Sequence, residues 1–216
     1  MRTVRWMSSV LALVALTPVV SAAQSNRLFQ NAWFWGAKAG LMNFSTGNNT
    51  STTAPLVGAE WLITRNRAGL YLSAEQAFFT TTGYVTDGNG TPYNVALKDS
   101  RRYTAALLAF PTNWGSLRPY GGLGFSLNLI QHATLEGGQL IDPDQADVVA
   151  NNIHNERDRV AFLLMGGLQA QYRRFSVFGQ ATYMPARANF FFNGRSTYIF
   201  ETGIRYNVGS SIDKTP

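Results

Sequence analysis

The sequence predicts an all-β fold: eight antiparallel strands joined up and down and closed into a barrel that crosses a membrane. Three observations lead there. Apolar residues return with period two along most of the chain, the spacing that places alternate side chains on opposite faces of a strand. No window approaches the about 20 apolar residues of a membrane helix. The segments between the alternating stretches differ in length in a regular way, as the two ends of a barrel do.

The bulk numbers agree. Of 216 residues, 45% are hydrophobic and 14% charged, against about 25% charged in a typical soluble domain. Apolar residues must therefore be interleaved with small and uncharged polar ones. The chain has no cysteine, which rules out a disulfide scaffold. Its net charge is +6, of which Arg2 and Arg5 contribute two, and no basic run exceeds two residues. Nucleic acid is not an expected partner.

The N-terminus reads as an export signal over residues 1–23. Arg2 and Arg5 precede the short apolar run Val10–Leu16, Pro18 breaks it, and Ser21-Ala22-Ala23 offers small residues for cleavage before Gln24. Residues 24–208 are assigned to the barrel and 209–216 to a short tail.

The eight strands follow in order. Trp33, Trp35, Ala37, Ala39 and Leu41 share one face of the first, with Phe34, Gly36, Lys38, Gly40 and Met42 on the other. Val57, Ala59, Trp61 and Ile63 oppose Leu56, Gly58, Glu60 and Leu62 in the second. Leu70, Leu72, Ala74 and Phe78 oppose Tyr71, Ser73 and Glu75 in the third, where Gln76 interrupts the apolar face. The fourth sets Tyr103, Ala105 and Leu107 against Arg102, Thr104 and Ala106. The fifth is the cleanest: Leu123, Phe125, Leu127 and Leu129 alternate with Gly122, Gly124, Ser126 and Asn128. The last three run from Arg159 to Gln171, from Phe175 to Tyr183 and from Thr197 to Tyr206. Each is near the about 9–11 residues that cross a bilayer obliquely. No helical periodicity is expected outside the signal. STGNNTSTT, TTGYVTDGNGTPYN, Ala133 to Asn155 and PARANFFFNG are expected as four longer extracellular loops, and TRNR and RRF as short periplasmic turns. An even strand count puts both termini in the periplasm.

A sheet closed on itself leaves no unpaired edge in hydrocarbon, and with eight strands its interior is about wide enough for side chains to fill. The glycine-and-ion face is therefore assigned to the lumen. Lys38, Glu60, Glu75, Glu201 and Arg205 form the expected interior charge network, with Lys38 held between Glu60 and Glu201; Arg102 and Arg159 share the inward parity. Trp33, Trp35, Trp61, Tyr172, Phe175 and Tyr206 form an aromatic girdle at the periplasmic interface, and Phe44, Phe78, Tyr103, Tyr183 and Tyr198 its outer counterpart. A soluble lipocalin-like barrel would need the opposite sidedness, with the glycines facing water.

This arrangement of signal, eight alternating segments, unequal loops and a last strand TYIFETGIRY resembles the small eight-stranded outer-membrane barrels of the OmpA/OmpX type, over Ala32 to Val208. Such barrels commonly end on an aromatic, whereas here Asn207 to Pro216 follow Tyr206, and the resemblance does not extend to a cell-wall anchor. It implies an integral protein of the bacterial outer membrane, whose partners are outer-membrane lipid and lipopolysaccharide, the barrel-assembly machinery, periplasmic chaperones and an unidentified ligand of the extracellular loops.

The expected function is non-enzymatic: envelope stabilisation and display of surface loops for adhesion or interaction. A narrow pore is the alternative, opposed by Phe34, Tyr71 and Phe178 on the lumen face. A lipid A-modifying enzyme comes third. QHATLE offers His132, Thr134 and Glu136 on one strand face, but with threonine in place of the usual serine nucleophile. Asp142, Asp144 and Asp147 read as solvated loop acids, so no metal and no cofactor is expected. Arg101, Arg102, Arg157, Arg187 and Arg195, at strand ends beside the long loops, are the candidate lipopolysaccharide-phosphate contacts.

Overall fold

A computed structural model describes residues 29–47, 51–137, 142–186 and 190–210. The eight strands are β1 (Ala32–Ser45), β2 (Ser51–Arg65), β3 (Ala68–Thr86), β4 (Pro92–Ala109), β5 (Leu117–Leu135), β6 (Asp158–Tyr172), β7 (Phe175–Met184) and β8 (Arg195–Ser210). Every neighbour in sequence is a neighbour in space, all pairs are antiparallel, and β1 closes on β8. Alternation is thus expressed as a closed up-and-down barrel, with the glycine-and-ion face inside and the Leu, Val and aromatic face outside. Leu107, Leu123, Phe125, Phe200 and Ile204 each keep more than half their surface exposed on the outer wall.

Both termini of the strand series lie at one end, here the turn end. Two of its connections are two-residue hairpins, over Asn66-Arg67 and Arg173-Arg174. Their first residues take positive φ, 53° for Asn66 and 52° for Arg173, the backbone twist that tight hairpins require. The third, residues 110–116, is longer and carries an isolated bridge between Trp114 and Leu117.

The opposite, loop end departs from expectation. Cross-strand pairing carries the strands well past the alternating cores, so four of the nine residues of STGNNTSTT and nine of the fourteen of TTGYVTDGNGTPYN are ladder and not loop. Thr53 pairs with Asn43, and Tyr84 with Asn94. Polar, threonine-rich sequence hid this, because these stretches project beyond the apolar band and need no hydrophobic face. A short helix, α1 (Ala146–Glu156), follows a 3₁₀ turn over Pro143–Gln145. It buries Val149 against the barrel mouth, and Asn152 Nδ2 donates to the Thr86 carbonyl at 2.7 Å. One apolar stripe of three turns is too short to stand out by periodicity. Of the mixed PARANFFFNG segment, Phe190, Phe191 and Phe192 turn inward and are buried. Phe192 lies 4.0 Å from Phe44, which itself packs on Phe79 at 4.8 Å. Phe44 therefore belongs to an interior cap and not to the outer girdle. Tyr183 and Tyr198 do lie outside, 5.4 Å apart.

Strand β4 changes phase at a bulge. Lys98 and Arg101 are both exposed, and Asp99 between them has φ 55°. Its carboxylate accepts from the Phe79 amide at 3.1 Å, so the bulge is held by a side chain. The β3–β4 hairpin ends at Asp87, whose carboxylate accepts from the amides of Asn89 and Thr91, both at 2.8 Å. Desolvation opposes ionisation there, but the hydrogen bonds from Thr91 and Asn89 outweigh it and hold the carboxyl below its ordinary range. A depressed carboxyl stabilises the fold above its unfolded pKa, and that contribution fades as pH falls through the lowered value. The protection of the Asn89 and Thr91 amides, measured as the exchange rate relative to that of an unstructured chain at the same pH, should fall on acidification below the usual aspartate range, and in Asp87→Ala it should be low at every pH.

Candidate functional site

The lumen holds the concentration of ionisable groups. Lys38, Glu60, Glu75, Arg102, Glu201 and Arg205 are each at most 6% exposed, although they come from β1, β2, β3, β4 and β8. The register explains how they meet. One cross-strand row reads Gly203, Lys38, Gly58, Glu75, Arg102. The immediate neighbours of Lys38 are glycines, so its ammonium reaches over Gly58 to Glu75. It also lies 2.9 Å from Glu201 Oε1 and donates to the Tyr71 hydroxyl at 2.6 Å. Arg102 bonds Glu75 from the far side and stands 3.5 Å from Glu201. A second row, nearer the turn end, runs Arg205, Gly36, Glu60. Arg205 pairs with Glu60 across Gly36.

Lys38 therefore does not sit between Glu60 and Glu201. Glu60 lies opposite Gly36, one inward position closer to the turn end, where Arg205 takes it. Parity says which way a side chain points, but not which layer it occupies. The glycines carry the missing information. A Cβ at Gly58 would stand 2.7 Å from the Ala74 carbonyl oxygen and from Glu75 Cγ, and one at Gly36 2.9 Å from Glu60 Cγ. In each row the glycine vacates the space that the ion pair crosses.

Uncharged groups complete the network. The Tyr71 hydroxyl accepts from Lys38 and donates to Glu60 Oε2 at 3.1 Å, linking the two layers. Gln180 Nε2 donates to Glu201 at 2.7 Å, and Gln169 Oε1 accepts from Arg205 Nη1 at 2.7 Å. Ser73 donates to Glu75 at 2.6 Å, and the Arg205 guanidinium stacks over the Phe178 ring at 3.8 Å. Gln169, Gln180 and the linking role of Tyr71 escaped sequence reading, since polar inward residues are common in any barrel. Arg159, which shares the inward parity, is only half-buried near the loop end.

Apolar layers close the lumen above and below. At the turn end Phe29 is buried, 4.7 Å from Phe110 and 5.8 Å from Phe34, with the Arg118 guanidinium over it at 4.4 Å. The Thr64 hydroxyl donates to the Phe29 carbonyl. At the loop end the Phe44, Phe79 and Phe190–192 cap covers the opening. Three pairs of opposite charges thus share an enclosed space.

On the outer wall, Trp61, Trp35, Tyr206, Phe175 and Tyr172 are consecutive partners across β2, β1, β8, β7 and β6. Trp35 stacks on Trp61 at 5.3 Å, Trp33 meets Trp61 edge-on at 5.4 Å, and Phe175 lies 5.0 Å from Tyr206. These six residues form one belt near the turn end. Of the five candidate lipid-contact arginines, Arg101, Arg157 and Arg195 lie on the loop-end exterior or in part-exposed positions there. Arg102 does not: its inward parity carries it into the lumen, onto Glu75, while Arg101 beside it faces outward. Arg187 lies outside the described residues. His132 and Thr134 are exposed on β5, while Glu136 accepts from Thr82 at 2.8 Å and so turns toward β3. Asp142 caps the 3₁₀ turn through the Asp144 amide. Among the described residues no group of three His, Asp or Glu side chains is placed to hold a metal ion.

Comparison with known proteins places this geometry in a class. The structure of Neisserial surface protein A superposes with a TM-score of 0.55 at 12% identity, over 81% of this chain and 96% of that one. Ail, the attachment invasion locus protein of Yersinia pestis, gives 0.50 at 10% identity, over 82% and 99%. It is also known in complex with the heparin analogue sucrose octasulfate, where the match is again 0.50, at 11% identity. At such identities the likeness is one of fold, and the chain has the fold of the small eight-stranded outer-membrane barrels. No family model matches the sequence, and no curated protein matches it significantly.

Two outcomes are expected. Lys38→Met leaves two buried carboxylates facing one arginine, and Glu201→Gln leaves two cations facing one carboxylate. Each should cost about 3–5 kcal/mol in urea unfolding from detergent micelles, whereas the double variant restores neutrality and should cost less than the sum. Additive losses would remove the network from the account. Gly58→Ala should lower stability by about 1–3 kcal/mol by crowding Glu75, and Glu75→Ala in the same background should recover none of the lost ion pair.

Proposed function

We propose that this chain is an integral outer-membrane protein whose barrel is a sealed structural element, non-enzymatic and non-conducting. Its termini face the periplasm and its loop end faces outward. It stabilises the envelope and presents the β3–β4 hairpin, α1 and the adjoining loops for adhesion or other surface interaction. The observation that carries this reading is the filled lumen: a paired charge network with an apolar cap at each end. The band of exposed Leu, Val and aromatic residues around the wall supports a lipid environment, as does the belt from Trp61 to Tyr172. Lipopolysaccharide is the proposed lipid partner, with Arg101, Arg157 and Arg195 as its contacts at the loop end. The barrel-assembly machinery and periplasmic chaperones are the partners of biogenesis on the same reading.

The occupied lumen speaks against the narrow pore, because water would have to displace either Phe cap and then part paired ions. A hydrolase is disfavoured by the placement of Glu136, whose carboxylate accepts from Thr82 on β3 while His132 is exposed on β5. The heparin analogue bound by Ail suggests polyanionic surface sugars as a class of loop ligand worth screening.

Purified protein should migrate faster unheated than boiled in detergent gels, and should add no single-channel steps to a planar bilayer. Discrete conductance steps in the unmodified protein would overturn the sealed-barrel reading.

A further inference from the structure

The outer wall is mostly apolar, and one of its polar clusters is cationic. Near the loop end of β3, β4 and β5, three polar side chains point outward and bond to one another. Arg101 Nε donates to Gln76 Oε1 at 3.3 Å, and the Gln76 and Gln131 amides lie 3.0 and 3.3 Å apart across their two contacts. Gln76, a blemish in the alternation of β3, thus has a partner two strands away.

Beside this row the wall opens. The β5–β6 ladder ends at Leu129 and Asp158, while β5 continues to Leu135 on β4 alone. Arg157 bridges the break: its Nη2 donates to the Gln131 carbonyl at 3.0 Å, and Nε and Nη2 reach the Ile130 carbonyl at 3.4 and 3.3 Å. The result is an open notch of about 430 Å³ lined by Arg101, Leu129, Gln131, His132, Arg157 and Asp158. Lys98 is the cross-strand partner of His132 and is also exposed. Asp158 is the one acidic group on the lining. The notch stands directly above the apolar surface of Tyr103, Leu127 and Val160, which are exposed partners on β4, β5 and β6.

We infer that this notch is a binding site for a phosphate group carried by a glycolipid of the outer leaflet, with Arg101 and Arg157 as its donors. The inference rests on the proposed orientation, with the loop end outward, and it assigns a specific place to the lipid contact. Three physical arguments converge. Guanidinium forks match phosphate oxygens in geometry and charge. Both forks are held by bonds to Gln76, Ile130 and Gln131, so little rotamer freedom is lost on binding. Finally, an anion on an acyl anchor is delivered to this height by its own chains, which lie along the exposed Tyr103, Leu127 and Val160, whereas a free ion has no such reason to concentrate at the wall. Asp158 favours a ligand whose phosphate sits toward Arg101 and whose sugar hydroxyls meet the carboxylate.

The test uses the full chain in detergent micelles. It is titrated with bis-phosphorylated lipid A, the same lipid after phosphatase treatment, and inorganic phosphate, with bound lipid counted by native mass spectrometry. The unmodified protein should retain lipid A about tenfold more tightly than the dephosphorylated lipid, as loss of one charge-assisted fork implies. Arg101→Gln should weaken lipid A binding several-fold, and Arg101→Gln with Arg157→Gln should abolish the preference for phosphate. Arg174→Gln, at the opposite end of the barrel, should bind as the unmodified protein does. Because Arg157 also caps strand carbonyls, each variant is checked for the heat-dependent gel shift; Arg101→Gln alone decides if the double variant misfolds. Equal retention of both lipids, or unchanged binding by Arg101→Gln, overturns the site. Displacement of lipid A by inorganic phosphate at the lipid's own concentration overturns the lipid source. A protein that binds no lipid and gives no heat-dependent shift instead refutes the membrane-barrel reading on which the site depends.

Discussion

Closure of β1 on β8 is the constraint from which the rest of this structure follows. A closed sheet satisfies its backbone hydrogen bonds with no free edge, but with only eight strands it also fixes a narrow interior. Every inward side chain must then be accommodated at once, and none can be moved without moving its neighbours. Glycine is the means of accommodation. Where Lys38 and Glu75 must meet, Gly58 lies between them; where Arg205 and Glu60 must meet, Gly36 does. Adjacent strands also pair their charges, as Arg102 does with Glu75 and Lys38 with Glu201, but the pairs one strand further apart can extend only across the space a glycine vacates.

The same narrowness explains why so polar an interior is tolerable. A buried charge is expensive unless it is paired and its remaining hydrogen-bonding positions are met. Here each carboxylate has a cation and at least one neutral donor: Ser73 for Glu75, Tyr71 for Glu60, Gln180 for Glu201. The Phe caps at both ends keep these interactions in a low-dielectric space, where they are stronger than in water. On the proposed function, the barrel is a filled rod and specificity resides on its outer wall and at its loop end.

The exterior follows the same logic. The wall is mostly apolar, and the aromatic belt binds neighbouring strands through direct ring contacts. At the break between β5 and β6, however, strand lengths no longer match. Polar groups that would be costly against acyl chains are placed where headgroups begin on the proposed orientation, and they bond to one another or to exposed carbonyls. An irregularity of the ladder and a patch of cations coincide at the same height.

Much of this was legible in the sequence, for a physical reason: side-chain direction in a strand depends only on residue parity. Eight alternating segments, the inward direction of Lys38, Glu60, Glu75, Glu201 and Arg205, and the outward direction of Trp35, Trp61 and Tyr206 all follow from period two and need no knowledge of partners. What parity cannot supply is register. Which acid faces Lys38, how far β3 and β4 run beyond their apolar cores, and why Lys98 and Arg101, an odd number of residues apart, share the outer face depend on pairing between strands and on the bulge at Asp99. The inward fold of Phe190–192 and the docking of α1 are likewise set by the space left at the barrel mouth, a property of the closed sheet and not of either segment.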